Sequence, residues 1–103
     1  MQKNIAGKDL EVDADGYLED SSQWDGEVAK AIASELGISE LTEAHWSVIN
    51  WLREQHDQGN EVNIRKVGKS GIVDIKGFYQ LFPGGPLKNA SKIAGLKKPT
   101  SCL

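Results

Sequence analysis

The chain has 103 residues, 39% of them hydrophobic and 26% charged, with a formal net charge of −3. That composition belongs to one ordinary globular domain, long enough to bury a modest core without staples. A single cysteine, Cys102, excludes an internal disulfide, and the opening Met1–Asp9 has no apolar run of signal-peptide or membrane-span length, so a soluble cytoplasmic protein is expected.

Residues 4–20 read as a small hairpin. Its apolar positions are Ile5, Leu10, Val12, Tyr17 and Leu18, and Asp13-Ala14-Asp15-Gly16 is the expected turn. A helix follows. Asp25 is a good N-cap, and Glu27 sits where the helix dipole favours a carboxylate. Val28, Ala29, Ile32, Ala33 and Leu36 form one apolar stripe, and Gly37 is the expected terminator. Trp24, just before the cap, is expected to pack on this helix or on the hairpin.

A second helix starts at the capping residue Thr42 and runs to about Asp57, ending near Gly59-Asn60. Ala44, Val48, Ile49, Trp51 and Leu52 give it a broad apolar arc, with added bulk from Trp46, so it is expected to be the central core helix. The signal then weakens. We expect a short helix at 62–68, a turn at Lys69-Ser70-Gly71 and a helix from Val73 to Phe82, ended by Pro83-Gly84-Gly85. Pro86 suits the first turn of a last helix, 86–94, which Gly95 terminates. The side chains of Val28, Ile32, Leu36, Val48, Ile49 and Leu52 are expected to be buried against one another.

The small net charge hides a split. Through Asn60 there are four bases and thirteen acids, a net of −9; from Glu61 on there are eight bases and two acids, a net of +6. A basic C-terminal third points to an acidic partner surface or to nucleic acid, against the plainer reading of a solvated face. The segment 62–82 reads as helix–turn–helix-like and carries Arg65, Lys66, Lys69 and Lys76. Its second helix holds one base, one acid and the helix-weakening Gly77, which argues against direct DNA recognition.

Metal and hydrolytic chemistry find no support. His45 and His56 are eleven residues apart with no ligand at metal spacing, and there is no nucleophile elbow or phosphate loop. Both histidines read as ordinary surface or core residues, and no metal or cofactor is expected. Chemistry therefore falls to Cys102. It follows a stretch, Gly95 to Ser101, with weak helix and strand propensity, so it is expected to be exposed and mobile rather than a core thiol. Eight extended residues from Gly95 reach roughly 25 Å. Lys97 and Lys98 favour the nucleophilic thiolate, and the terminal carboxylate opposes it. Such a thiol suits a group carrier that visits another protein's active site.

Leu81-Phe82-Pro83-Gly84-Gly85-Pro86, then Lys92-Ile93-Ala94-Gly95-Leu96, then Lys98-Pro99 and Cys102 resemble the C-terminal signature of the DsrC/TusE family. Asp15-Gly16-Tyr17-Leu18, Gln23-Trp24, Glu27-Val28-Ala29 and Leu41-Thr42-Glu43-Ala44-His45-Trp46 support it, so the resemblance covers most of the chain in order. The resemblance implies a mainly α fold. An N-terminal β-hairpin would join an orthogonal helical bundle with a helix–turn–helix-like element. Residues 1–95 would form the globular domain and 96–103 a mobile arm carrying Cys102.

The resemblance also implies that Cys102 corresponds to the family's sulfur-carrying cysteine. DsrC proper has a second, upstream cysteine and works as a partner of dissimilatory sulfite reductase. The corresponding position here is Ser91, which cannot form a disulfide. The chain therefore looks like the TusE type. Such proteins take a persulfide sulfur from a TusBCD relay and pass it to the enzyme that thiolates the wobble uridine of certain tRNAs. On this reading the chain is a sulfurtransferase-type carrier rather than a stand-alone enzyme, with partner contacts at Arg65, Lys66, Lys92, Lys97 and Lys98. The alternative is a DsrC-like partner of sulfite reductase or a regulatory binding module. Lys97 and Ser101 stand where the family usually has proline and glycine, and 60–80 is shorter and richer in glycine, which bears on partner choice.

Overall fold

Two short strands open the chain, β1 (Gln2–Ile5) and β2 (Lys8–Glu11), antiparallel with Gln2 opposite Glu11 and Ile5 opposite Lys8. They belong to a computed structural model that describes residues 1–98. The hairpin thus turns at Ala6-Gly7, earlier than the sequence predicts. Both turn residues take positive φ, 54° and 79°, the two-residue geometry that matches strand twist. Alanine rarely adopts it, so the sequence concealed the turn. The expected turn at 13–16 also forms, as a second and wider reversal. The Gly16 N–H donates to the Asp13 carbonyl at 3.0 Å, and an isolated bridge pairs Val12 with Leu18.

Five helices follow a single 3-10 turn at Ser21–Gln23: α1 (Gly26–Glu35), α2 (Glu43–Asp57), α3 (Ile64–Lys69), α4 (Ile75–Leu81) and α5 (Pro86–Ile93). Their starts are set by side chains that take up orphan amide groups. The Asp25 carboxylate accepts from Val28 N–H at 2.9 Å, Asn63 caps α3 through Lys66 N–H at 2.8 Å, and Asp74 caps α4 through Gly77 N–H at 2.6 Å. Thr42 and His45 form a reciprocal capping box on α2. Its histidine does more than cap. Nδ1 accepts from the Thr42 N–H at 3.1 Å, so Nε2 carries the proton and donates to the Leu81 carbonyl at 2.8 Å. His45 thereby ties the start of α2 to the end of α4, and of the two settings expected for it, surface or core, it takes the core one.

The long helices end alike. After α1, Ile38 N–H reaches the Ala33 carbonyl at 2.9 Å; after α2, Asn60 N–H reaches Gln55 at 2.9 Å; after α5, Leu96 N–H reaches Ser91 at 3.0 Å. In each the glycine predicted as terminator (Gly37, Gly59 and Gly95) supplies the left-handed residue of the closure.

The core gathers one face from every element. Ile5, Leu10, Val12 and Leu18 come from the hairpin region and Val28, Ala29, Ile32 and Ala33 from α1. Val48, Ile49 and Leu52 come from α2, and Leu87, Ala90 and Ile93 from α5. Of the six positions expected to pack together, only Leu36 is left half-buried, at the C-cap of α1. The two short helices are pinned by Val67 on α3 and by Phe78, with Phe82 just past α4, whose rings meet edge-on at 5.7 Å. Where α3 meets α4, a Cβ on Gly68 would sit 2.7 Å from the Ile75 side chain, so only glycine lets the helices approach this closely.

Two outcomes test this account. Ile32 is 3% exposed, so Ile32→Ala should cost about 2–5 kcal/mol, read as a lowered urea midpoint at unchanged slope. The second concerns acid. The hydrogen bond from Lys8, helped by the Val28 N–H, holds the Asp25 carboxyl below the usual carboxylate range. Its folded value therefore lies below its unfolded one, about 4. The stability it supplies is complete above that value and is lost as pH falls through the folded value. Asp25→Asn keeps the cap but not the charge. It should be less stable than the parent at pH 7, and the difference should shrink as the pH falls below the ordinary carboxylate range in urea titrations.

Candidate functional site at the root of the C-terminal arm

The arm expected from residue 96 onward leaves the body from α5, and the end of that helix is unusually well closed. The carbonyls of Ala90, Ser91 and Lys92 accept from the backbone N–H groups of Ala94, Leu96 and Gly95. The last two are taken by side chains from distant parts of the chain. Trp24 Nε1 donates to the Ile93 carbonyl at 2.7 Å, and Arg53 Nη1 donates to the Ala94 carbonyl at 2.7 Å. A cation at a helix C-terminus is also favoured by the macrodipole.

Trp24 and Arg53 hold each other in place. The guanidinium lies 4.1 Å from the centre of the indole and also reaches the Ser21 carbonyl at 3.3 Å. Burial pushes the Arg53 pKa down from its ordinary value, opposed by the charge of Asp57 one turn on. Gly95 completes the arrangement. Its φ is 71°, and a Cβ there would lie 2.4 Å from the indole. Trp24 therefore does not pack on α1 or the hairpin alone, as expected, but against the end of α5. Sequence reading missed this clamp. The signals were present: Gln23-Trp24 belongs to the family pattern, and Arg53 is the only arginine in the acidic half, beside Leu52 on the edge of a buried face.

The packed body runs one residue past the expected boundary, since Leu96 is 7% exposed and belongs to the core. Lys97 and Lys98 are exposed. Cys102 and the rest of the expected arm lie outside the described residues. Beside the arm's root is an open groove of about 200 Å³. Leu52, Leu87 and Leu96 line its apolar part. His56, Glu61, Lys97 and Lys98 line its polar part, and Ser91 opens onto it from α5. Ser91 is the position at which the resemblance puts a second cysteine in two-cysteine proteins, and its side chain is largely buried.

The five expected partner contacts separate into two groups. Lys92 and Lys98 both turn toward the reversal at residues 13–17. Lys98 Nζ meets the Asp15 carboxylate at 3.1 Å, and Lys92 Nζ lies 5.4 Å from the centre of the Tyr17 ring. Lys97 stays with Lys98 at the groove. Arg65 and Lys66 are instead exposed on α3, where Lys66 Nζ donates to the Glu61 carbonyl at 2.7 Å. Among the described residues, no group of three or more His, Cys, Asp or Glu side chains could hold a metal ion. No helix among them is long and apolar enough to cross a membrane.

The clamp makes a direct prediction. Gly95→Ala should destabilise by more than about 1 kcal/mol, since it meets both a forbidden backbone region and the indole. Gly37→Ala, with the same φ problem but open space around it, should cost less. Thermal melts of the two variants decide the comparison.

Comparison with known proteins agrees with this architecture. The family model described as DsrC-like protein matches residues 4–103. The Haemophilus influenzae protein named sulfurtransferase TusE homolog is 44% identical over 108 residues, covering 97% of this chain and 98% of its own. The Escherichia coli K12 sulfurtransferase TusE is 42% identical over 105 residues, covering 94% and 95%. Among solved structures, dissimilatory sulfite reductase I (DsrI) superposes with a TM-score of 0.87 at 35% identity, covering both chains fully. The oxidised gamma-subunit of dissimilatory sulfite reductase (DsrC) from Archaeoglobus fulgidus does so with a TM-score of 0.81 at 39% identity, again over both full chains. A hairpin on a five-helix body, a Pro-Gly-Gly-Pro entry into α5 and near-full-length identity at this level place the chain in the DsrC/TusE family.

Proposed function

We propose that this chain is a sulfur carrier that holds sulfane sulfur on Cys102 and serves the formation of 2-thiouridine in tRNA. The observation that carries the reading is the pairing of one cysteine with Ser91. A chain with two thiols can expel a bound sulfur by closing its own disulfide. Here serine stands at the second position, and the remaining 102 residues offer no other thiol. A persulfide on Cys102 therefore leaves only by attack from outside.

The chemistry needs no oxidant. The Cys102 thiolate attacks the outer sulfur of a donor persulfide. A new S–S bond forms at Cys102, the donor's S–S bond breaks, and the donor leaves as a thiolate. Release runs the same exchange with an acceptor thiolate, and Cys102 returns to its starting state. The donor on this reading is a TusBCD-like relay, and the acceptor is a tRNA-thiolating enzyme. Relatives that carry the TusE sulfurtransferase name across nearly their full length support it. The rival role, partner of a sulfite reductase, draws on the DsrC and DsrI structures, but a cycle built on two cysteines has no second thiol here. Lys97 and Lys98 are proposed to favour the thiolate, and the closed end of α5 to fix where the carrier segment departs.

The test is intact mass. Reduced protein incubated with a cysteine desulfurase, cysteine and the relay should gain one sulfur atom that a reductant removes. Cys102→Ser should gain none. Absence of a labile sulfur on the parent chain, under conditions that load an authentic carrier, would sink the carrier reading.

A further inference from the structure

Among the described residues, the large hydrophobic side chains left exposed are Met1, Ile72, Ile75 and Tyr79. Three of these four occupy one corner. Ile75 and Tyr79 are one turn apart on α4, and Ile72 lies three residues before Ile75 in the connection from α3. None of the three belongs to the core, although one side of Ile75 meets Gly68 of α3; α4 is held inward by Phe78 and the chain just after it by Phe82. They are about half exposed, at 39%, 46% and 48% for Ile72, Ile75 and Tyr79.

The surroundings are basic. From Ile64 to Phe82 there are four bases, Arg65, Lys66, Lys69 and Lys76, against one acid, Asp74, a local net of +3 in a chain whose total is −3. None of the four bases is in an ion pair among the described residues. The Asp74 carboxylate is engaged by the Gly77 N–H at the start of α4. An apolar centre with an uncancelled charged rim is the anatomy of a protein interface, and tyrosine is a frequent anchor at its centre. Other occupants fit less well. Phosphate contacts would use the bases but leave Ile72 and Ile75 with no polar atom to offer. A second copy docked through the same face would set basic rim against basic rim.

We propose that the α3–α4 corner is the docking surface for an acidic protein partner, one with an apolar centre ringed by Asp and Glu, and that this partner exchanges sulfur with Cys102. The proposal rests on the carrier reading and adds to it where the partner is held. Docking through the corner separates recognition from chemistry. The apolar centre sets how long the partner stays, and the basic rim sets how fast it arrives and how strongly salt opposes it.

The probes are the purified relay complex that loads the chain and the tRNA-thiolating enzyme that unloads it. Sulfur transfer is measured against the concentration of each. Ile75→Asp combined with Tyr79→Asp should raise KM for at least one of them about tenfold or more, with kcat within about twofold. Lys69→Glu with Lys76→Glu should raise the same KM and flatten its dependence on salt. Far-UV circular dichroism and melting check folding, and Ile75→Ser with Tyr79→Ser replaces the first pair if it unfolds. Unchanged KM for both proteins, with the parent chain transferring sulfur normally, overturns the proposal and leaves the carrier reading standing. If the parent chain takes up no sulfur, the carrier reading fails. Amide shifts in titrations with the same two proteins then decide: shifts centred on α3–α4 support docking there, and their absence overturns it. Tighter binding of tRNA or duplex DNA than of either protein at this corner, or dimerisation abolished by the same substitutions, also overturns it.

Discussion

The closure of the α5 C-terminus by Trp24 and Arg53 is the interaction on which the rest of this molecule depends. A helix end leaves its last carbonyls unpaired, and each one buried without a donor costs about 1–3 kcal/mol. Here Ile93 and Ala94 are both fully buried, and their donors come from residues 24 and 53. One small arrangement thus joins the segment before α1, the middle of α2 and the end of α5. It also explains how a charged guanidinium is tolerated in a partly buried place: two carbonyls and an aromatic face replace its water. The chain continues toward Cys102 from a point fixed on three sides.

The division of charge along the sequence resolves in the structure into two kinds of lysine. Lys98 crosses to Asp15, Lys3 pairs with Glu35, and Lys8 pairs with Asp25. Such exposed pairs contribute little stability individually, but they join the hairpin region to α1 and to the root of the arm. The bases on α3 and α4 make no such crossings. The basic character of the C-terminal third is partly absorbed within the body near α5 and left outward at the α3–α4 corner.

Local rules were legible wherever one residue type had a single job. Asp25, Thr42, Gly37, Gly59, Pro86 and Gly95 were readable as helix boundaries because capping and termination chemistry is confined to a few neighbouring residues. The inner faces of α1 and α2 followed from their spacing. The first turn was not legible, because Ala6 takes a backbone conformation that alanine seldom adopts and the conspicuous Asp13–Gly16 turn drew the strand assignment onto itself. The clamp was hidden for a different reason. Trp24, Arg53 and Gly95 come together only in the folded state, and no local pattern records a contact across 69 residues. The lone thiol, Cys102, stood out by being the only cysteine in the sequence, and the role proposed for it rests on that and on the family resemblance. The groove beside Ser91 was not legible, since it is made by side chains from α2, α5 and the segments that follow them.

The brevity of α3 and α4 has an energetic consequence. They have six and seven residues, too few to persist as isolated helices, and each contributes one fully buried side chain within its span, Val67 and Phe78. By contrast α1 and α5 each bury four residues or more. Resistance to local opening follows buried apolar contact, so native-state hydrogen exchange should rank the α3–α4 amides among the least protected of the helical ones. On that ranking the corner would be the first part of the helical body to open. Any surface it presents is then adjustable in shape at low free-energy cost, on a body whose other helices keep the root of the arm in place.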